Sequence, residues 1–225
     1  MARSITLTLG ASNALNKWLG ADLPRLPAEV NRQVGVNSLA SDTSRLSWQV
    51  HIINNHYQSM DKTIIACEAN SRFTFFVPVI CKLSLSELTD SLQMEWQSAF
   101  AETLNYCRLL PNLDIAFLLS KLSDIDFDID WVKNTDLSIN GHISDAGLWV
   151  TETLEDQRLH SLAPEVATGL AIHLNTQTKR IKKRKEKFIP VERLLEYCMN
   201  ITSDDAQCKP VSTNNIINLN DYRSK

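Results

Sequence analysis

Three short β-branched and aromatic runs, Trp48–Ile53, Thr63–Glu68 and Phe73–Ile80, follow one another with breaks at Asn54-Asn55 and Asn70-Ser71. Such side chains suit a pleated, half-buried surface, and the breaks are turn-forming residues. The spacing predicts an antiparallel meander whose last strand ends near Pro78. A sheet of this kind must bury one face, so the rest of the chain has to supply apolar helix stripes to cover it.

It does so. Ala14, Leu15, Trp18 and Leu19 recur at helical spacing after an alternating strand through Ile5, Leu7 and Leu9, with Gly20 placed to end the helix. Residues 21–45, with Pro24, Pro27 and Gly35, read as a long irregular connection. Ser84 followed by Glu87 is a capping box, and Leu88, Leu92, Trp96, Ala99, Thr103 and Cys107 form one stripe behind it. Pro111 ends that helix, and Ile115, Leu118, Leu119 and Leu122 mark the next. Ile125–Trp131 alternates apolar residues with Asp126, Asp128 and Asp130, the pattern of a strand with one wet face. Leu137–Ile143 reads as a further short strand, Ser144 as the cap of a helix through Trp149 and Leu154, and Pro164 and Pro190 as helix openers. The expected fold is α+β: a small antiparallel sheet packed against several helices over residues 1–175, a basic segment and C-terminal helix over 176–200, and a loose polar tail over 201–225.

The apolar fraction of 44% is enough for a full core without metals or disulfides. No stretch approaches the roughly 18 uninterrupted apolar residues that span a bilayer, and the opening MARSITLTLGAS lacks the apolar centre of a signal peptide. Five cysteines, an odd number and widely spaced, read as reduced thiols, most of them small apolar fillers. A cytoplasmic location is expected, without a membrane partner.

Several chemistries have no counterpart in the chain. None of the six glycines belongs to a phosphate-cradling loop, and GxSxG, HExxH and CxxC are absent. No cofactor is expected. His51 and His56 are five apart, an odd separation that points them to opposite faces of a strand. Asp124, Asp126, Asp128 and Asp130 are the acidic set that would suit a metal-dependent hydrolase or nuclease. They equally suit the solvent face of a strand whose charges block edge pairing. Gly141, His142 and Asp145 form a candidate functional turn between a strand and a helix, a place where functional groups are often displayed. The plainer use of the same residues is a tight turn followed by a cap.

The opening ITLTLGASNALNKWLG, the meander LSWQVHIINN…RFTFFVPV and the segment Asp136–Asp145 resemble, in that order, a family of uncharacterised bacterial proteins. In that family the third piece reads Arg-Ser-Val-x-Gly-Ser-x-Asn-Asp; Ser138, Ile139, Gly141 and Asp145 match it, while Leu137 and His142 depart. The resemblance covers roughly residues 3–155 and implies a domain of unknown function, with no mechanism attached. The closing NNIINLNDYRSK looks like tails found on assorted proteobacterial proteins.

The strongest local outlier is Lys179–Lys187, reading KRIKKRKEK. It carries Lys179, Arg180, Lys182, Lys183, Arg184, Lys185 and Lys187, seven of the chain's 23 basic residues. The whole chain has a formal charge of −3, so the run's net +6 leaves about −9 on the remainder. A cationic strip on an acidic body fits phosphate contact with DNA or RNA. Without interleaved aromatics it does not fit base stacking. A solvated segment, or one docked on the protein's own acidic face, uses the same composition. The reading reached from sequence is a non-catalytic binding protein, nucleic-acid-associated through this run. The alternatives are a hydrolase on the Asp124–Asp130 face and a protein–protein adaptor that offers Ile216–Tyr222 as an added strand.

Overall fold

The computed structural model describes residues 4–26, 38–56, 60–181 and 186–203. Among these residues the class is α+β, with six helices, a five-stranded sheet and a two-stranded sheet. The meander is present as β2 (Arg45–Asn54), β3 (Lys62–Glu68) and β4 (Thr74–Val79), antiparallel throughout. Pro78 lies within β4, at the sheet edge, where a missing N–H costs no ladder bond.

The sheet as a whole is mixed rather than antiparallel, which corrects the sequence expectation. Its order is β4-β3-β2-β1-β5, and β1 (Ser4–Ala11) runs parallel to both of its neighbours, β2 and β5 (Asp126–Lys133). Parallel pairing needs long crossovers, and the chain supplies them as helices. α1 (Asn13–Leu19) follows β1, capped by Ser12 and ended by Gly20 at φ 67. α2 (Leu85–Cys107), with the Ser84–Glu87 capping box, and α3 (Asn112–Ser123) lead into β5.

α2 covers one face of the sheet. Trp48 of β2 meets Phe75 of β4 edge-on at 5.2 Å between ring centroids and Trp96 of α2 at 6.0 Å. Full burial of such side chains stabilises by about 1.5–3 kcal/mol each. α4 (Leu137–Asp156) covers the other face, where Gly147 brings the helix against Ile53 and Ile65.

α4 brings two further corrections. The segment Leu137–Ile143 is helix, not strand, because Ile139, Ile143, Ala146, Val150 and Leu154 all bury at helical spacing. Its cap is Asp136, which accepts from Ser138 N, rather than Ser144. α5 (Pro164–Thr176) flanks β4, and its buried Asn175 accepts from Thr74 N at 2.8 Å and donates to Thr74 O at 2.7 Å, standing in for a strand partner. α6 (Pro190–Thr202) packs Val191, Leu194, Cys198 and Ile201 into the same core. No helix among the described residues is long and apolar enough to cross a membrane.

Candidate nucleic-acid interface and the polar network beneath it

The basic run lies between α5 and α6, and its ends form a two-stranded antiparallel ribbon, β6 (Lys179–Ile181) and β7 (Glu186–Phe188). Lys182, Lys183, Arg184 and Lys185 lie outside the described residues. In the ribbon Arg180 stands directly opposite Lys187, so these two side chains share one face. Both are exposed, whereas Lys179, Glu186 and Phe188 are half-buried. The described basic residues are therefore sorted into an outward pair and an inward lysine.

The inward face is fastened by α6. The Arg193 guanidinium lies 3.9 Å from the centroid of the Phe188 ring and pairs with Glu186, while its Nη1 donates to Asn70 O in the β3–β4 turn at 3.3 Å. One side chain thus joins the ribbon, the helix that follows it and the main sheet.

Lys179 leads from the ribbon to the candidate turn. Gly141, His142 and Asp145 do not form a strand-to-helix turn; they occupy the first three turns of α4, with Gly141 and Asp145 exposed and His142 half-buried. Burial, followed by the charges of Arg72 and Lys179, pushes the His142 imidazole down to about 4, against the opposing pull of Asp145. His142 is accordingly neutral at physiological pH.

Beneath α4 lies a network of buried polar residues that sequence reasoning missed. Gln49 donates to Gly10 O at 2.7 Å and to Asn134 O at 2.9 Å, and accepts from Asp136 N at 2.9 Å. Asp136 accepts from Leu39 N at 2.8 Å and from Ser138 Oγ at 2.6 Å. Arg72, at φ 61 in the β3–β4 turn, donates from Nη1 to Ala69 O and from Nη2 to Ser138 Oγ at 3.2 Å. Glu68, 1% exposed, accepts from Ser41 Oγ, from Asn70 N at 2.9 Å, and from Ser71 N and Oγ at 2.5 and 2.6 Å. The available signal was the flanking of Asn70-Ser71 by Glu68 and Arg72, two opposite charges beside a tight turn that joins two largely apolar strands.

The acidic set divides. Asp124 ends α3, so only Asp126, Asp128 and Asp130 share a strand face, opposite Ser4, Thr6 and Thr8 of β1. Among the described residues no three His, Cys, Asp or Glu side chains converge as metal ligands. His51 Nδ1 lies 2.8 Å from Ser12 Oγ and His56 Nε2 lies 2.7 Å from Leu159 O, so each meets its own structural partner. The Ile216–Tyr222 tail lies outside the described residues.

No protein-family model, curated protein or solved structure matches this chain. The resemblance over residues 3–155 therefore rests on the quoted residues alone.

Proposed function

We propose that this chain is a non-catalytic cytoplasmic protein that binds nucleic acid with the β6–β7 ribbon. The observation that carries the reading is the opposition of Arg180 and Lys187 on the ribbon's exposed face, while Arg193 holds the other face to the body. A two-stranded ribbon fits the major groove of B-form DNA, whereas the deep, narrow major groove of A-form RNA excludes it. Duplex DNA is therefore the better match. Contact through phosphates is independent of sequence and sensitive to salt, and a dense cationic run supports it without requiring any particular base pattern. The acidic remainder of the surface limits contact to this strip.

Fluorescence anisotropy of the purified chain with labelled duplex DNA, duplex RNA and single strands, across a salt series, tests it. Each phosphate contact contributes about 0.9 to the slope of log affinity against log salt on B-form DNA. The double variant Arg180→Gln/Lys187→Gln should lower the slope by about 1.8. Lys179→Gln, altering the inward lysine, should leave it unchanged. Absence of binding, or an equal slope in the double variant, overturns the proposal.

A further inference from the structure

The two edges of the main sheet are treated differently. At β4 the edge is flanked by α5, with Asn175 paired to the Thr74 backbone. At β5 the outer edge is held, among the described residues, at its last residue alone: Lys133 N donates to Pro24 O at 2.7 Å and Arg25 bridges to Lys133. From Asp126 to Val132 the described strand partners all belong to β1. An edge strand turns alternate N–H and C=O groups outward, a template on which another strand can pair.

The two faces flanking this edge differ in chemistry. On one, Phe127 and Ile129 are half-buried and line a groove of about 730 Å³ between β5 and α2. Trp131 spans the same groove, its indole N–H donating to Thr89 Oγ1 of α2 at 2.9 Å, so strand and helix are held at a fixed separation. A preformed site of this kind loses little freedom when it is filled. On the other face stand Asp126, Asp128 and Asp130, the first two exposed. Asp90 and Asp126 line the groove, and among its described lining residues none is basic.

This charge selects the occupant. A second copy pairing β5 against β5 would set one aspartate row beside another, and like charges in neighbouring strands are destabilising. A basic strand relieves the same row. We infer that β5 accepts an added strand from a protein partner, an extended segment in which lysine or arginine alternates with aliphatic residues. The aliphatic side chains enter the groove over Phe127 and Ile129, the cations lie along Asp126, Asp128 and Asp130, and the main chain pairs with the edge. Backbone pairing supplies affinity and the alternation supplies specificity. The surface is separate from the β6–β7 ribbon and does not rest on nucleic-acid binding.

Fluorescence anisotropy of the full chain with three labelled synthetic peptides tests this. Lys-Val-Lys-Ile-Lys-Val-Lys should bind at least tenfold more tightly than Glu-Val-Glu-Ile-Glu-Val-Glu. It should also bind at least tenfold more tightly than Lys-Lys-Lys-Lys-Val-Ile-Val, which keeps the charge without the alternation. Asp126→Lys/Asp128→Lys, at two exposed positions, should reverse the preference towards the glutamate peptide, and Arg180→Gln/Lys187→Gln should leave it unaltered. In hydrogen exchange the alternating lysine peptide should slow residues 126–131 at least tenfold while the β2–β4 segments stay unchanged. Equal binding of the two lysine peptides, or unchanged binding in the charge-reversed variant, overturns the inference. So does a β5 edge that exchanges as slowly in the free chain as with peptide. Protection of β5 that grows with protein concentration alone also overturns it, by assigning the edge to a second copy.

Discussion

Replacing Glu68 by alanine removes the acceptor that closes the β3–β4 turn. Its carboxylate is 1% exposed and accepts from Ser41 Oγ, Asn70 N, Ser71 N and Ser71 Oγ. A buried donor left without a partner costs about 1–3 kcal/mol. Asn70 is exposed and its N–H can turn to water, but Ser41 and Ser71 are buried. Two to three stranded donors give a loss of about 4 kcal/mol, a large part of the 5–15 kcal/mol that stabilises a typical domain. Glu68→Gln is the informative companion. Its amide oxygen can serve the Asn70–Ser71 donors while its NH₂ donates to Ser41 Oγ, so charge assistance and the acceptor of the Ser41 hydroxyl are lost, about 1–2 kcal/mol. Urea unfolding followed by tryptophan fluorescence measures both, and an unchanged m-value keeps the comparison valid. A loss below about 1 kcal/mol for alanine, or equal losses for the two variants, would show that the carboxylate does not hold this turn.

Two further outcomes follow from the buried titratable groups. His142 has a folded pKa of about 4, below its ordinary 6.5, so on acidification the unfolded chain takes up the proton first. Stability is therefore lost as pH falls from 6.5 towards 4 and is unaffected above that window, and His142→Gln should flatten this part of a urea-midpoint profile against pH. Among the described cysteines, burial raises the Cys67 thiol to about 11 and also raises Cys198, while Cys81 is exposed. Mass spectrometry after brief iodoacetamide treatment should find Cys81 alkylated, with Cys67 and Cys198 modified only after unfolding.

The elements that were legible in the sequence are those whose signal is local. The meander, the Ser84–Glu87 box, the aspartate-alternating strand and the proline-opened helices each rest on periodicity or capping within a few residues. The placing of β1 was not legible, because parallel pairing with β2 and β5 is decided by crossovers far along the chain. Leu137–Ile143 misled because Leu137 and Ile139 alternate like a strand; continuation through Ala146, Val150 and Leu154 makes the helix. At the candidate interface the residue types were plain, but the sorting of Arg180 and Lys187 outward and Lys179 inward needed the ribbon's register. Gln49, Glu68, Arg72 and Asp136 were overlooked because a burial that depends on partners from distant segments leaves no local mark.

The position of β1 in the sheet also sets an order of events at the ribosome. β1 emerges before β5, and Leu9 meets Trp131 only after about 120 further residues have been made, a separation that slows folding. At roughly 5–20 residues per second the strand waits on the order of ten seconds with one edge unpaired. During that interval Ile5, Leu7 and Leu9 are available to any other nascent strand, which makes the partly synthesised chain, rather than the finished protein, the species most exposed to aggregation. Conditions that slow translation between β2 and β5 should therefore reduce the yield of folded protein more than those acting later in the chain.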